Sequence, residues 1–122
     1  MPSAPGCIDT CMGGIRVLSI HTFPVHGAPG VQHASVPVGG TGIEGDRPKK
    51  AAISLVGNDA PATRANLVLD VPTARVEGLD GTVLRIGEVL LAVQATGNAC
   101  PGLYASVGEP GSIQVGDSVE SA

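Results

Sequence analysis

Apolar residues along this chain cluster in short runs of two to six, broken by Gly, Pro and Asp-containing turns, and nowhere recur with the 3.6-residue period of a long helix. The clearest pair is Val83, Leu84 and Ile86, then Val89 to Val93, divided by Gly87-Glu88. Short β-branched runs separated by a Gly-containing dipeptide predict two strands joined by a tight turn. The same signal predicts strands at Ile15–Ile20, Val31–Val38, Ala51–Val56 and Asn66–Val71, the last ended by Pro72. Pro37 makes the second of these an edge strand, because proline cannot donate to a ladder. After the central hairpin, Leu103–Val107, Ser112–Val115 and Ser118-Val119 read as further short strands. Gly57–Thr63 reads as a turn or at most one helical turn, Arg75–Gly81 as a linker, and Gly108–Gly111 as a turn. Regularly spaced short strands favour an all-β domain, a small closed or half-closed barrel with little or no helix.

Composition narrows this picture. With 122 residues the chain has room for one domain and one core. Hydrophobic content is 43% but aromatic content only 2%, so Val, Leu, Ile and Ala must build that core. The 18 glycines and 10 prolines suit many turns rather than a helical bundle. Residues 1–13 hold no patterned apolar face and predict a flexible arm, leaving 14–122 as the folded domain. A net charge of −4, with no basic patch or aromatic ladder, speaks against nucleic-acid binding. No apolar run approaches the roughly 18 residues of a membrane span, and the N-terminus lacks a signal-peptide pattern. Three cysteines cannot close a disulfide framework among themselves. Together these features place the chain in the cytoplasm, as an expectation.

Three places carry candidate chemistry. Cys7 and Cys11 could form half of a metal site with His21, His26 or His33, but a second close ligand pair at zinc spacing is missing. The expectation is therefore no metal, two ordinary thiols on the arm, and three surface histidines. Gly39–Arg47 is glycine-rich and leads into Arg47, Lys49 and Lys50. It reads either as a solvated turn or as a cradle for a phosphate or carboxylate, with Arg47 offering a planar fork. Cys100 follows the Gly97-Asn98-Ala99 loop at the exit of a strand and precedes Pro101-Gly102. Local sequence favours a small core residue there, since cysteine is among the most buried residue types. The alternative is a thiol presented for chemistry.

Four segments, in order, resemble the MOSC family, the domains named after the C-terminal part of molybdenum cofactor sulfurase. They are Arg16-Val-Leu-Ser-Ile-His, Gly42-Ile-Glu-Gly-Asp-Arg, Gly81-Thr-Val-Leu-Arg-Ile-Gly-Glu-Val-Leu-Leu and Asn98-Ala-Cys-Pro. Asn66-Leu-Val looks like the family's Asn-containing segment, and Gly111–Val119 like its closing strand pair. The resemblance spans Gly14 to Glu120. It implies a β-barrel that carries sulfur or handles the molybdenum cofactor (molybdopterin), independently of pyridoxal phosphate. It implies that Cys100 carries a persulfide or meets the metal. It implies that Gly45, Asp46, Arg47 and Asn66 line the site of the phosphorylated pterin; the cations Arg47, Lys49 and Lys50 suit its phosphate chemically, Asn98 is expected beside them, and Asp46 is expected to orient Arg47. It further implies that the Gly42–Arg47 turn and the Cys100 loop share one rim, so that Cys100 lies in an electropositive, partly open pocket. The partners implied are this small-molecule cofactor or a sulfur donor or acceptor protein.

The departures are as specific as the matches. Pro48 stands where the family often has His, and Ala65 where an acidic residue often precedes the Asn. The segments Val56–Asn66 and Cys100–Gly111 look trimmed. These differences imply a pocket that is open, shallow or absent, and a domain that regains lost core by pairing as a homodimer. The competing expectation is a non-catalytic barrel that binds an anionic ligand or a partner protein, with Cys100 as packing.

Overall fold

A computed structural model describes residues 14–25, 27–46, 52–60, 65–97 and 100–122. The arm at 1–13 with Cys7 and Cys11, His26, the cations Arg47, Lys49 and Lys50, and Asn98 lie outside the described residues.

The hairpin predicted from the central apolar runs is formed by β7 (Val83–Ile86) and β8 (Val89–Ala95), paired antiparallel with Ile86 opposite Val89. Gly87 takes φ +58° in the turn, a conformation costly for residues with a Cβ. Strict alternation sets the faces. Val89, Leu91 and Val93 point inward, while Ala92 and Gln94 are exposed.

The hairpin belongs to a sheet of eight strands. These include β1 (Val17–Thr22), β2 (Val31–His33), β5 (Ile53–Gly57), β6 (Leu67–Leu69), β9 (Leu103–Glu109) and β11 (Val119–Ser121). Their spatial order is β11-β7-β8-β9-β5-β6-β1-β2, antiparallel except for the β5–β6 pair. The sheet curls into a half-barrel in which the chain at the start of β1 meets the chain entering β11. Arg16 bridges Ser118, the Val17 amide donates to the Asp117 carbonyl (2.9 Å), and Val119 donates to Ile15 (2.9 Å). A second sheet, β10 (Gly111–Gln114) with β3 (Ser35–Gly39) and β4 (Gly42–Ile43), sends Val36, Val38, Ile43 and Ile113 into the same core. The fold is thus all-β, with its interior filled by Val, Leu and Ile as the composition required.

Five local expectations need correction. The single strand expected over Val31–Val38 breaks at Ala34 into β2 and β3, which serve different sheets. β3 lies between β10 and β4, so it is not the edge strand expected from Pro37; the Pro37 carbonyl accepts the Glu44 amide (3.0 Å), so the missing proline N–H faces the turn just past β4. The glycine-rich turn contains a short strand, β4. Gly42 is buried there at φ +130°, where a Cβ would lie 2.6 Å from the Ala52 carbonyl oxygen. Gly108 and Glu109 continue β9, so the expected turn shrinks to Pro110. Finally, the linker contains α1 (Thr73–Glu77), a five-residue helix against β5 with Val76 fully buried.

That helix is too short to show a period, and its N-cap side chain makes no capping bond. Its cap arrives from elsewhere. One carboxylate oxygen of Asp59 accepts both the Thr73 amide (2.8 Å) and the Thr73 hydroxyl (2.8 Å). These bonds, the amide first, hold the Asp59 carboxyl below its ordinary range. The Thr73 hydroxyl in turn accepts the Gly57 amide (3.1 Å), which ties α1 to the end of β5.

Candidate functional site

The sequence-predicted site residues that are described fall toward two ends of β5. At its start sits Asn66, fully buried. Its side-chain amide donates to the His21 carbonyl (3.0 Å) and to an Asp46 carboxylate oxygen (3.1 Å). Its side-chain carbonyl accepts the Ser54 amide (3.1 Å) and the Ser54 hydroxyl (3.3 Å). Its backbone amide donates to the Ser54 carbonyl (3.1 Å), and its backbone carbonyl accepts the His21 amide (2.8 Å). Each donor and acceptor of this residue therefore has a protein partner. The second oxygen of Asp46 accepts the Phe23 amide (2.8 Å). Gly45, exposed at φ +88°, turns the chain so that Asp46 can reach inward.

Asp46 and Asn66 are thus brought together by a direct hydrogen bond. What they hold among the described residues is protein: β1, β5, β6 and the turn after β4.

Two histidines lie beside this node, neither a simple surface residue. His21 is half-buried and its Nε2 bonds the Ser19 hydroxyl (3.0 Å). Burial, and then the nearby His33, push its pKa below the ordinary value. His33 bonds the buried Thr22 hydroxyl through Nε2 (2.8 Å), across the β1–β2 pair. Nothing in the sequence marks these partnerships, because they depend on strand register.

Cys100 lies at the other end. Leu55 of β5 pairs with Leu67 of β6 in parallel and with Leu103 of β9 in antiparallel. Asn66 therefore precedes this row toward the start of β5, whereas Gly102, Pro101 and Cys100 extend past its end. Ser54 and Gly57 mark the two levels, separated by roughly 10 Å of strand. Among the described residues, the Asp46–Asn66 pair and Cys100 therefore lie toward opposite ends of β5 rather than on one rim. Opposite strand directions, invisible in sequence order, are the reason.

Cys100 is exposed, which overturns the reading of this residue as core packing. Its loop is held by its neighbours rather than by burial. The Thr96 hydroxyl donates to the Cys100 carbonyl (3.0 Å), and a Glu77 carboxylate oxygen accepts the Gly102 amide (2.9 Å). Asp80 accepts the Ala95 amide (2.9 Å), anchoring the end of β8. Gly102 is buried at φ +88°, and a Cβ there would collide with the Leu55 carbonyl. The thiol borders an open cleft of about 300 Å³, lined also by Glu77, Thr96 and Leu103. The charged side chain described in this lining is the acidic Glu77, so the electropositive character expected of the pocket is not found among the described residues. Glu77 was missed in the sequence, where it stands in an apparent linker.

Among the described residues, no group of three or more His, Cys, Asp or Glu side chains is disposed to hold a metal ion. Nor is any described helix long and apolar enough to cross a membrane.

Comparison with known proteins adds the fold. No family model matches the chain, and no curated protein matches it. Among solved structures, the YuaD protein from Bacillus subtilis is similar with a TM-score of 0.69 at 15% identity, over 88% of this chain and 94% of that one. YiiM from Escherichia coli gives a TM-score of 0.60 at 18% identity, over 88% of this chain and 69% of that one. A hypothetical protein gives 0.65 at 18% identity, over 87% of this chain and 67% of that one. YuaD and YiiM are MOSC-domain-like small proteins, so the resemblance seen in the motifs is supported at the level of fold.

Proposed function

We propose that this MOSC-like barrel is a single-cysteine sulfur carrier, with Cys100 holding sulfane sulfur as a persulfide. The observation that carries this reading is the exposure of Cys100 on a loop fixed on both sides, at the edge of an open cleft. A carrier thiol must meet donors and acceptors that are themselves large, which a buried cysteine cannot do.

The chemistry is an exchange at sulfur. Cys100 loses its proton to solvent, and the thiolate attacks the terminal sulfur of a donor persulfide. The new S–S bond forms as the donor's own S–S bond breaks, and the donor leaves as a thiolate. Delivery is the same step with the acceptor thiolate attacking the terminal sulfur on Cys100. No net oxidation or reduction occurs in either exchange. Gly97 and Gly102 leave the thiol approachable from the cleft side, while Glu77 keeps the following turn in place through the Gly102 amide.

The test is loading with a small-molecule persulfide donor, read per cysteine by mass spectrometry. The expected result is one added sulfur atom on Cys100 of the folded protein and none there in Cys100→Ser. If sulfur is found only on Cys7 or Cys11, or on Cys100 only after unfolding, the carrier reading fails and the non-catalytic binding module takes its place.

A further inference from the structure

We infer that Asp46 and Asn66 form a clamp that locks the barrel, rather than part of a pterin pocket, and that the chain holds no resident molybdenum cofactor. The inference is argued from the Asn66 end and does not rest on the carrier reading of Cys100. A phosphorylated pterin whose metal meets a cysteine needs one continuous pocket, with the thiol at one end and anion-binding donors at the other.

Among the described residues, three observations disagree with that requirement. Asn66 is fully buried and both of its side-chain polar atoms serve protein partners, so binding a ligand through it would break a bond to His21, Ser54 or Asp46. Asp46 presents a carboxylate, which repels a phosphate, and its two oxygens already accept the Phe23 amide and the Asn66 side chain. The strand register sends the Cys100 loop past the opposite end of β5, where Glu77 adds another carboxylate to the lining.

The clamp has its own physical role. It ties the strand β1 and the turn after β4 to the β5–β6 pair, the one parallel pairing in the described sheets. Parallel neighbours cannot share a short hairpin, so an internal cross-tie there takes the place of a covalent turn.

The experiment uses the full chain, purified from cells that make molybdopterin and from cells that cannot. Bound pterin is read by fluorescence after oxidative release, and the thermal midpoint is measured for both preparations. Asp46→Asn and the milder Ser54→Ala are compared in both hosts. At position 46 the carboxamide offers one acceptor oxygen where two donors arrive, so the clamp weakens.

The clamp predicts no co-purifying pterin, or the same trace in all three proteins, and equal midpoints from the two hosts. It predicts a midpoint lowered by roughly 5 °C or more in both variants, whichever host is used. Pterin that travels with the folded wild-type protein and raises its midpoint overturns the inference, as does pterin lost selectively in either variant. The host comparison on wild-type protein decides the matter even if Asp46→Asn fails to fold.

Discussion

The two ends of β5 solve opposite problems with the same materials. At the Asn66 end, the fully buried Asn66 and the half-buried Asp46 and Ser54 bond one another and neighbouring backbone. At the Cys100 end, side-chain bonds reach mainly to backbone amides and carbonyls, and Cys100 itself is exposed. The first arrangement fixes the relative positions of strands. The second fixes a loop while keeping its chemistry available. Buried polar networks are costly to break because each orphaned group loses its water as well as its partner. Exposed loop bonds are cheap to break, because water replaces them. The difference teaches that matching a motif does not assign its role, which depends on the side of that boundary where the fold puts it.

Substitutions can break this contrast in graded steps. Asn66→Ala removes both amide functions at once and strands the Ser54 amide, so it should cost about 3 kcal/mol and lower Tm by roughly 10 °C or more. A Tm change within a degree or two would show that the network is not structural. Gly102→Ala comes next. Its φ of +88° and the approach of the Leu55 carbonyl predict a cost of about 2 kcal/mol, together with displacement of the Cys100 loop. Alkylation of Cys100 should then change rate in protein that is still folded; unchanged reactivity would mean that the loop does not depend on this pivot.

Glu77→Ala deletes the acceptor for the Gly102 amide and should cost about 1 kcal/mol in urea unfolding, whereas Glu77→Gln keeps a carbonyl acceptor and should lie near wild type. Equal losses in the two variants would assign the effect to charge instead of the hydrogen bond.

The smallest effect is that of pH on the Asn66 end. The His21 pKa is depressed in the fold by burial and by His33. Below the ordinary histidine range the unfolded chain takes a proton that the folded chain refuses, so stability falls as pH drops toward the folded pKa. Above that range both states are neutral and His21 contributes no slope. The urea midpoint should therefore be slightly lower at about pH 5.5 than at about pH 7.5, with the difference reduced in His21→Asn. A midpoint that rises on acidification would reverse the assigned sign.

How much of this was legible varies with the range of the interaction. The β7–β8 hairpin, the inward alternation of Val89, Leu91 and Val93, and the termination of the fourth strand before Pro72 follow from neighbours in sequence. The helix at Thr73–Glu77 was not legible, because its cap comes from Asp59, on the far side of β6 in the sequence. The break at Ala34 was not legible either. Nothing local tells one extended segment to divide between two sheets.

The candidate site shows the same division. The order of the Arg16–His21, Gly42–Arg47, Gly81–Leu91 and Asn98–Pro101 segments carried the resemblance, and the fold of YuaD and YiiM supports it at the level of architecture. The sequence by itself determined that the chain would be all-β, that its core would be aliphatic, and that the Gly42–Asp46, Asn66 and Cys100 segments would sit at strand ends. Those outcomes rest on side-chain chemistry and on periods of two residues. Only the tertiary structure decided which strand ends are neighbours. With β9 running antiparallel to β5, and β6 parallel to it, Cys100 and Asn66 leave the same row of side chains in opposite directions. Direction in a sheet is a property of the whole topology, and no single stretch of residues encodes it.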